Sequence, residues 1–210
     1  MMLKNRARKE LYFLYPNCKI TVEKIKLLCY TILNRCVKKK ATVEMVILGI
    51  DPGYAIVGWG VIDYTANRFQ VLAFGAVTTE AKTPFNERLE TVYDGIQDII
   101  NKYKPEAMAI EKLFYNTNAK TVIDVAQARG VINLAAQKNN LDIFEYTPLQ
   151  VKQSVVGYGR AEKKQVQEMT RVILKLDKVP KPDDTADALA MAICHAHASG
   201  SLMGRLNKLK

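Results

Sequence analysis

A short apolar run that ends in a single carboxylate constrains this chain more than any other feature. The run from Val46 to Ile50 contains only Val, Ile, Leu and one Gly, is too short for an ordinary helix, and leads directly into Asp51. Pro52 and Gly53 then stop it, because proline lacks a backbone donor and glycine permits positive φ. The pattern predicts a buried strand that delivers Asp51 to a sheet edge. An ordinary turn aspartate is the alternative, since Asp is also a preferred turn residue.

Charge is distributed unevenly along the 210 residues. The formal net charge is +10, but residues 1–44 hold eleven basic and three acidic residues, which leaves +2 for residues 45–210. We therefore expect residues 1–44 to be a basic N-terminal extension that comes from an upstream start, with Met45 as a second start, and residues 45–210 to form the domain. Any binding of polyanions by that domain must depend on local arrangement, because a net charge of +2 is ordinary.

Cysteine spacing and apolar runs restrict the class of protein. Cys18, Cys29, Cys36 and Cys194 fit no paired metal spacing and imply no disulfides. No run reaches the eighteen or more apolar residues of a membrane span, and the Lys-rich start lacks the long apolar centre of a signal peptide. We expect a reduced, cytoplasmic protein with no membrane segment.

From Met45 onwards the pattern is typical of an α/β fold. Three strands read as an antiparallel meander, and the first helix opens with Thr83 as cap and Pro84 at its first position. The predicted elements, in chain order, are strands at 46–50, 56–62 and 69–77, a helix up to 103, a strand at 107–110, a helix at 119–138, a strand at 143–146, and helices at 149–156, 161–176 and from 183.

Carboxylates recur where these elements begin or end. Glu111 terminates the strand at 107–110 as Asp51 terminates the first, and Asp184 and Asp187 are three residues apart on one helix face. Capping and the helix dipole account for Asp184 better than for Asp187. Four gathered carboxylates repel one another unless a hard cation lies among them, and Mg²⁺ binds carboxylates together with water and substrate phosphate. Two such ions roughly 4 Å apart assist phosphodiester hydrolysis, so a nuclease is indicated.

Seven motifs spread over residues 45–210 sharpen this interpretation. They are Gly49 to Gly53, Ala109 to Glu111, Gln127 to Gly130, Val151 to Gln153, Val156-Gly157, Ala161 to Lys163 and Ala186 to Ala190. Together they resemble the RuvC family of bacterial Holliday junction resolvases. The resemblance implies a ribonuclease H-like α/β fold, with a mixed five-stranded sheet and helices on both faces. It also implies a homodimeric, Mg²⁺-dependent endonuclease that nicks two strands of like polarity at a four-way DNA junction, with the RuvA–RuvB branch-migration complex as a partner.

The same resemblance assigns roles to individual residues. The family's acidic positions, expected to hold two Mg²⁺ ions per site or Mn²⁺ in their place, fall on Asp51, Glu111, Asp184 and Asp187. Lys163 matches a catalytic lysine, and both it and Lys152 match lysines that meet the scissile phosphate or the charge that develops on it.

Other family positions concern the DNA and the scaffold. Phe114 matches an aromatic residue that stacks on bases at the junction centre, and such stacking contributes about 1–3 kcal/mol per base. Thr117 departs from the basic residue that family members often carry there. Arg129 lies in a matching motif, where it serves either packing or an intramolecular pair. His195 lies about 16 Å along the last helix from Asp184 and is not expected among the ligands.

The helix at 119–138 carries more apolar residues than one core-facing stripe requires. Its small and apolar members include Val122, Val125, Ala126, Ile132 and Ala136. We expect the surplus at a dimer contact, with deeper burial inside the monomer as the alternative. A twofold dimer would match the approximate twofold symmetry of a four-way junction.

Two other functions fit part of the pattern. An actin-like or sugar-kinase domain shares a related sheet and an Asp-x-Gly that handles ATP phosphates, but it needs a longer chain with a second lobe. A non-catalytic junction-binding protein is disfavoured by the retention of all four acids, since clustered carboxylates oppose the binding of a polyanion unless metal is present.

Overall fold

The computed structural model describes residues 44–113, 119–199 and 206–209. Its strands are β1 Glu44–Asp51, β2 Ile56–Thr65, β3 Arg68–Thr78, β4 Ala107–Glu111 and β5 Asp142–Tyr146. Its helices are α1 Phe85–Tyr103, α2 Ala119–Lys138, α3 Pro148–Val156, α4 Lys163–Ile173 and α5 Asp183–Ala198. Within these ranges no helix is both long and apolar enough to cross a bilayer.

The five strands form one mixed sheet, as predicted, and their order in it is β3-β2-β1-β4-β5. β1, β2 and β3 pair antiparallel, whereas β1, β4 and β5 pair parallel. The central strand β1 is apolar along most of its length because both of its faces are buried. Its parallel partner β4 runs in register with it, Ile50 beside Ile110, so the two strands deliver their terminal acids to the same edge.

A separate apolar core lies on each face of the sheet. On one face α5 packs against β1 and β2, with Ile47, Ile62 and Leu189 in its core. On the other face α1 and α2 pack together, and their core includes Leu48 and Ile96. Successive residues of β1 therefore serve opposite cores, as the strand period of two requires.

Glycine lets α5 approach the sheet closely. A Cβ at Gly49 would lie 2.0 Å from the Ala188 carbonyl oxygen, and one at Gly58 would lie 2.1 Å from the Asp184 carbonyl oxygen. Both positions therefore require glycine at this separation. The contact fixes the first turns of α5 beside the end of β1.

Three helix starts differ from the prediction. α3 begins at Pro148, one residue before the predicted start, with Thr147 as its N-cap. α4 begins at Lys163, two residues later than predicted, because Glu162 and Gln165 form a capping box. α1 begins at Phe85 with Pro84 as its N-cap and no side-chain cap, so the prediction that Thr83 caps this helix is wrong. Side-chain capping thus sets the start of α4, whereas α1 starts without a side-chain cap, after Pro84, whose ψ of 142° is not helical.

The apolar surplus of α2 is divided between the core and the surface. Ile132 and Ala136 are completely buried within the monomer, so deeper burial is the correct interpretation for these two residues. By contrast, Ile123 is 65% exposed and Leu134 is 53% exposed. They are eleven residues apart and therefore share one helix face.

A short C-terminal segment pairs with the outer edge of β5, which the sequence did not reveal. Glu145 N donates to Asn207 O at 2.9 Å, and Leu209 N donates to Ile143 O at 2.7 Å. Lys208 also pairs with Asp142 at 2.7 Å. The segment covers backbone groups that an edge strand would otherwise present to solvent.

Candidate active site

One cavity of about 180 Å³ opens where β1 and β4 end. Five polar residues that the sequence singled out line it, namely Asp51, Glu111, Lys152, Lys163 and Asp187. An apolar wall completes the cavity and consists of Pro148, Val151, Val166, Ala190 and Met191. The cavity therefore combines acidic and basic groups with surfaces that exclude water.

Five elements place the polar groups. Asp51 is the last residue of β1 and Glu111 the last residue of β4, so adjacent parallel strands bring them together. Asp187 comes from the start of α5, which the close contact with the sheet holds in place. Lys163 is the first residue of α4, and Lys152 lies within α3.

Burial and mutual repulsion strongly perturb the acids. The pKa of Asp51 is raised to about 8, first by burial and then by the charges of Glu111, Asp187 and Asp184, with Lys163 opposing the change. Burial also raises the pKa of Glu111, and the charge of Asp187 adds to that effect. Asp51 therefore retains a proton at neutral pH until a cation compensates the cluster.

Lys163 supplies part of that compensation. Its Nζ lies 2.7 Å from Asp187 Oδ2, and the lysine side chain is 58% exposed. The hydrogen bond to Asp187 is the main cause of the raised pKa of Lys163. Nevertheless, burial keeps the pKa of Asp187 above its usual value. An ion pair this exposed adds little to stability, so its main consequence is to hold the Lys163 ammonium beside the acids.

Among the described residues, one predicted site residue stands apart from the cavity lining. Asp184 is one helical turn before Asp187, with its backbone over Gly58, and it acts on Asp51 through its charge. Phe114 lies outside the described residues, as does Thr117. The structure thus brings together three of the four predicted acids and both lysines.

The chemistry of these donors fits a hard divalent cation. Carboxylate oxygens are the ligands that Mg²⁺ prefers, and a cation would relieve the repulsion that raises the pKa of Asp51. As the side chains stand, no three acids, histidines or cysteines of the described residues are gathered closely enough to hold a metal ion. Three acids, Asp51, Glu111 and Asp187, nevertheless line the same cavity.

Arg129 forms the intramolecular pair that was one of its two predicted roles. Its guanidinium pairs with Glu145, and its Nε donates to the backbone oxygen of Glu111 at 3.2 Å. Sequence reasoning did not find the contact with Glu111. The side chain thereby connects α2 to the end of β4.

His195 lies in a buried polar cluster away from the cavity, consistent with its exclusion from the ligands. Its Nδ1 lies 2.7 Å from Tyr146 Oη, and its ring packs 4.2 Å from the Phe144 ring, centroid to centroid. Burial lowers the pKa of His195 to about 4. The neighbouring Cys194 is a buried free thiol, whereas the other three cysteines lie outside the described residues.

The family model described as crossover junction endodeoxyribonuclease RuvC matches residues 47–195. The chain belongs to the RuvC family. That match contains every residue that lines the cavity.

Curated RuvC relatives match over most of their length. The crossover junction endodeoxyribonuclease RuvC of Ruminiclostridium cellulolyticum is 57% identical over 162 residues, which cover 76% of this chain and 98% of the relative. The same enzyme of Clostridioides difficile is 58% identical over 155 residues, covering 74% of this chain and 92% of the relative. The prediction of family membership is thereby confirmed.

Solved structures agree with the fold. A Thermus thermophilus RuvC structure aligns with a TM-score of 0.70 and 32% identity, covering 78% of this chain and 98% of that chain. T. thermophilus RuvC in complex with a Holliday junction substrate aligns with a TM-score of 0.70 and 31% identity, covering 79% and 99% of the two chains. The predicted ribonuclease H-like fold is confirmed.

Proposed function

We propose that this chain is a crossover junction endodeoxyribonuclease. It resolves four-way DNA junctions by paired, symmetric nicks, in homologous recombination and DNA repair. The observation that carries the proposal is the shared cavity of Asp51, Glu111, Asp187, Lys152 and Lys163 within the region that matches the RuvC family. RuvC of T. thermophilus, a structural neighbour, has been solved in complex with a Holliday junction substrate.

Metal dependence is the second part of the proposal. Asp51, Glu111, Asp184 and Asp187 would hold Mg²⁺, with two ions per site or Mn²⁺ in their place. Bound there, the ions supply activation of water and stabilisation of the leaving oxygen. The raised pKa values of Asp51 and Glu111 support this part, because burial first and then repulsion between the acids disfavour the charged carboxylates, and a bound cation would offset both effects.

The remaining side chains bind and orient the DNA. Lys163 is held by Asp187 with more than half of its side chain exposed, so its ammonium can also meet a phosphate oxygen. Lys152 lines the same cavity and can bind the flanking phosphate. Apolar side chains, Val151, Val166 and Met191 among them, form the wall beside these groups. Phe114 is proposed to stack on bases at the junction centre.

The homodimer is proposed to form through α2. Its exposed Ile123 and Leu134 support an apolar contact on one face. Two sites related by a twofold axis would then face strands of like polarity. By resemblance, RuvA–RuvB is proposed as a partner and the cytoplasm as the location.

One experiment separates this function from its rivals. The purified protein is incubated with a synthetic four-way junction and with linear duplex of the same sequence, with and without Mg²⁺, and the nicks are mapped. We expect symmetric nicks in the four-way junction and none in the linear duplex, and we expect them only when Mg²⁺ is present. Junction binding without nicks would indicate a non-catalytic binder, and binding of ATP without any action on DNA would indicate an actin-like or sugar-kinase domain.

A further inference from the structure

The peptide bond that follows Glu111 is held on both sides. Lys112 N donates to Tyr146 O at 2.9 Å, which extends the β4–β5 ladder by one bond. Arg129 Nε donates to Glu111 O at 3.2 Å from the opposite direction. Because a peptide unit is planar, bonds to both its N–H and its C=O fix its orientation. The backbone of Glu111 therefore has little freedom where its side chain enters the cavity.

Arg129 is itself fixed by a second contact. Its terminal nitrogen pairs with the Glu145 carboxylate on β5, and the two side chains are only 14% and 21% exposed. Glu145 is anchored in turn, because its backbone N donates to Asn207 O at 2.9 Å. A planar guanidinium can reach a carboxylate and a carbonyl at once, which the single ammonium of lysine does poorly.

We propose that Arg129 is a positioning residue for Glu111. It fixes the Glu111–Lys112 peptide and so holds the Glu111 carboxylate in its place in the cavity. Glu145 serves to aim the guanidinium. Arg129 does not line the cavity, so it acts through Glu111 and makes no contact with the DNA at the reacting phosphate.

This role differs from that of an ordinary stabilising ion pair. If the ion pair contributed only to stability, removing either partner would have the same effect on the protein. Under the proposal the partners are unequal, because only Arg129 also binds Glu111 O. Glu145→Gln removes the charge of the pair but leaves an amide oxygen that still accepts from the guanidinium, so the bond to Glu111 O is kept, whereas Arg129→Gln removes both contacts.

Four variants test whether the two partners of the ion pair have unequal effects. Glu145→Gln, Arg129→Gln, the double variant and Arg129→Lys are compared with the wild type. The double variant restores neutrality, so it covers the case in which Arg129→Gln fails to fold because Glu145 is left unpaired. Arg171→Gln breaks an exposed ion pair with Glu168, neither residue of which lines the cavity, and controls for loss of an arginine.

The activity of each variant is measured as kcat for junction nicking, and this readout rests on the proposed function. We expect Glu145→Gln to stay within about threefold of the wild type, while the double variant loses at least about tenfold in kcat, since small displacements of a reacting group have effects of this size. Arg129→Lys should fall between them. Junction affinity without divalent ions should be unchanged throughout.

Amide hydrogen exchange at Lys112 provides a readout that needs no activity. We expect exchange to be faster in Arg129→Gln and in the double variant, and unchanged in Glu145→Gln and Arg171→Gln. Equal kcat and equal Lys112 exchange in the double variant and Glu145→Gln, at matched Tm, would overturn the proposal. A wild type that nicks no junction would reject the proposed function instead, and Lys112 exchange would still decide the role of Arg129.

Discussion

At the scale of single residues, Asp51 is the acid of the site whose pKa is most strongly perturbed. Asp51→Asn keeps the shape of the side chain and removes a charge that a metal needs and that repels phosphate. We expect nicking to fall by at least about 10²-fold, while junction binding without divalent ions is unchanged or tighter. Nicking gels and fluorescence anisotropy measure the two quantities.

The stability of this variant provides a further check on Asp51. The folded-state pKa is raised to about 8 from 3.8, so between these pH values the unfolded chain binds fewer protons and stability falls as pH rises. Without metal, Asp51→Asn should lack this fall in stability and should have a higher Tm than the wild type at pH 7.5. Asp94→Asn, at an exposed position of α1, is the control and should change neither Tm nor nicking.

Lys163 supplies the cation that the structure places at Asp187. Lys163→Gln removes a charge available to the scissile phosphate, so we expect kcat to fall by about 10²-fold with only a small change in junction affinity. The adjacent Lys164 is exposed, and Lys164→Gln is the matched control for general attraction to DNA. Equal losses of kcat in the two variants would show that Lys163 contributes no more than surface charge.

His195 should make stability depend on pH independently of the acids. Its folded-state pKa is lowered to about 4 from 6.5, so the unfolded chain binds an extra proton between these values and stability falls as pH decreases. The full effect is about 3 kcal/mol below pH 4. Tm measured from pH 7.5 to 4 should show this fall in the wild type and a shallower one in His195→Gln. The exposed His197 provides the control variant His197→Gln, which should retain the wild-type slope.

At the scale of elements, the sequence predicted the strands that carry Asp51 and Glu111 because each is an apolar run that stops at its acid. It also placed Asp184 and Asp187 on one helix face. Which of the two enters the cavity depends on how α5 lies on the sheet, which local spacing does not determine. The C-terminal pairing with β5 was missed because its hydrogen bonds come from residues more than sixty positions away.

The close contact between α5 and β1 leaves no room for a side chain at position 49. A Cβ there would lie 2.0 Å from Ala188 O, so Gly49→Ala must move α5 and with it Asp187. We expect a cost of about 3 kcal/mol or more, a Tm lower by about 5–10 °C, and loss of nicking. Gly130→Ala is the matched control, because nothing lies within 4 Å of its Cβ in helix α2, and it should melt at the same temperature or slightly higher.

At the scale of the whole molecule, the sheet divides two tasks between its faces. α5 brings acids to the ends of β1 and β4 on one side, and α2 on the other presents exposed apolar residues while Arg129 reaches back to Glu111. The fold class was predictable because motifs from every part of the domain agreed. The dimer surface was only partly predictable, because apolar composition does not distinguish Ile132, which is buried in the monomer, from Leu134, which is exposed.

The exposed face of α2 should therefore determine the oligomeric state. Leu134→Asp places a charge on this face, and we expect a folded monomer that makes single, unpaired nicks and whose Tm no longer rises with protein concentration. Sedimentation equilibrium and product analysis on a circular four-way junction measure the two properties. Leu72→Asp, at a 39% exposed apolar position on β3, is the matched control and should remain a dimer that makes paired nicks. Paired nicking by a monomeric Leu134→Asp at the wild-type rate would contradict the dimer proposal, because each protomer contributes one acidic cavity to a substrate that needs two cuts.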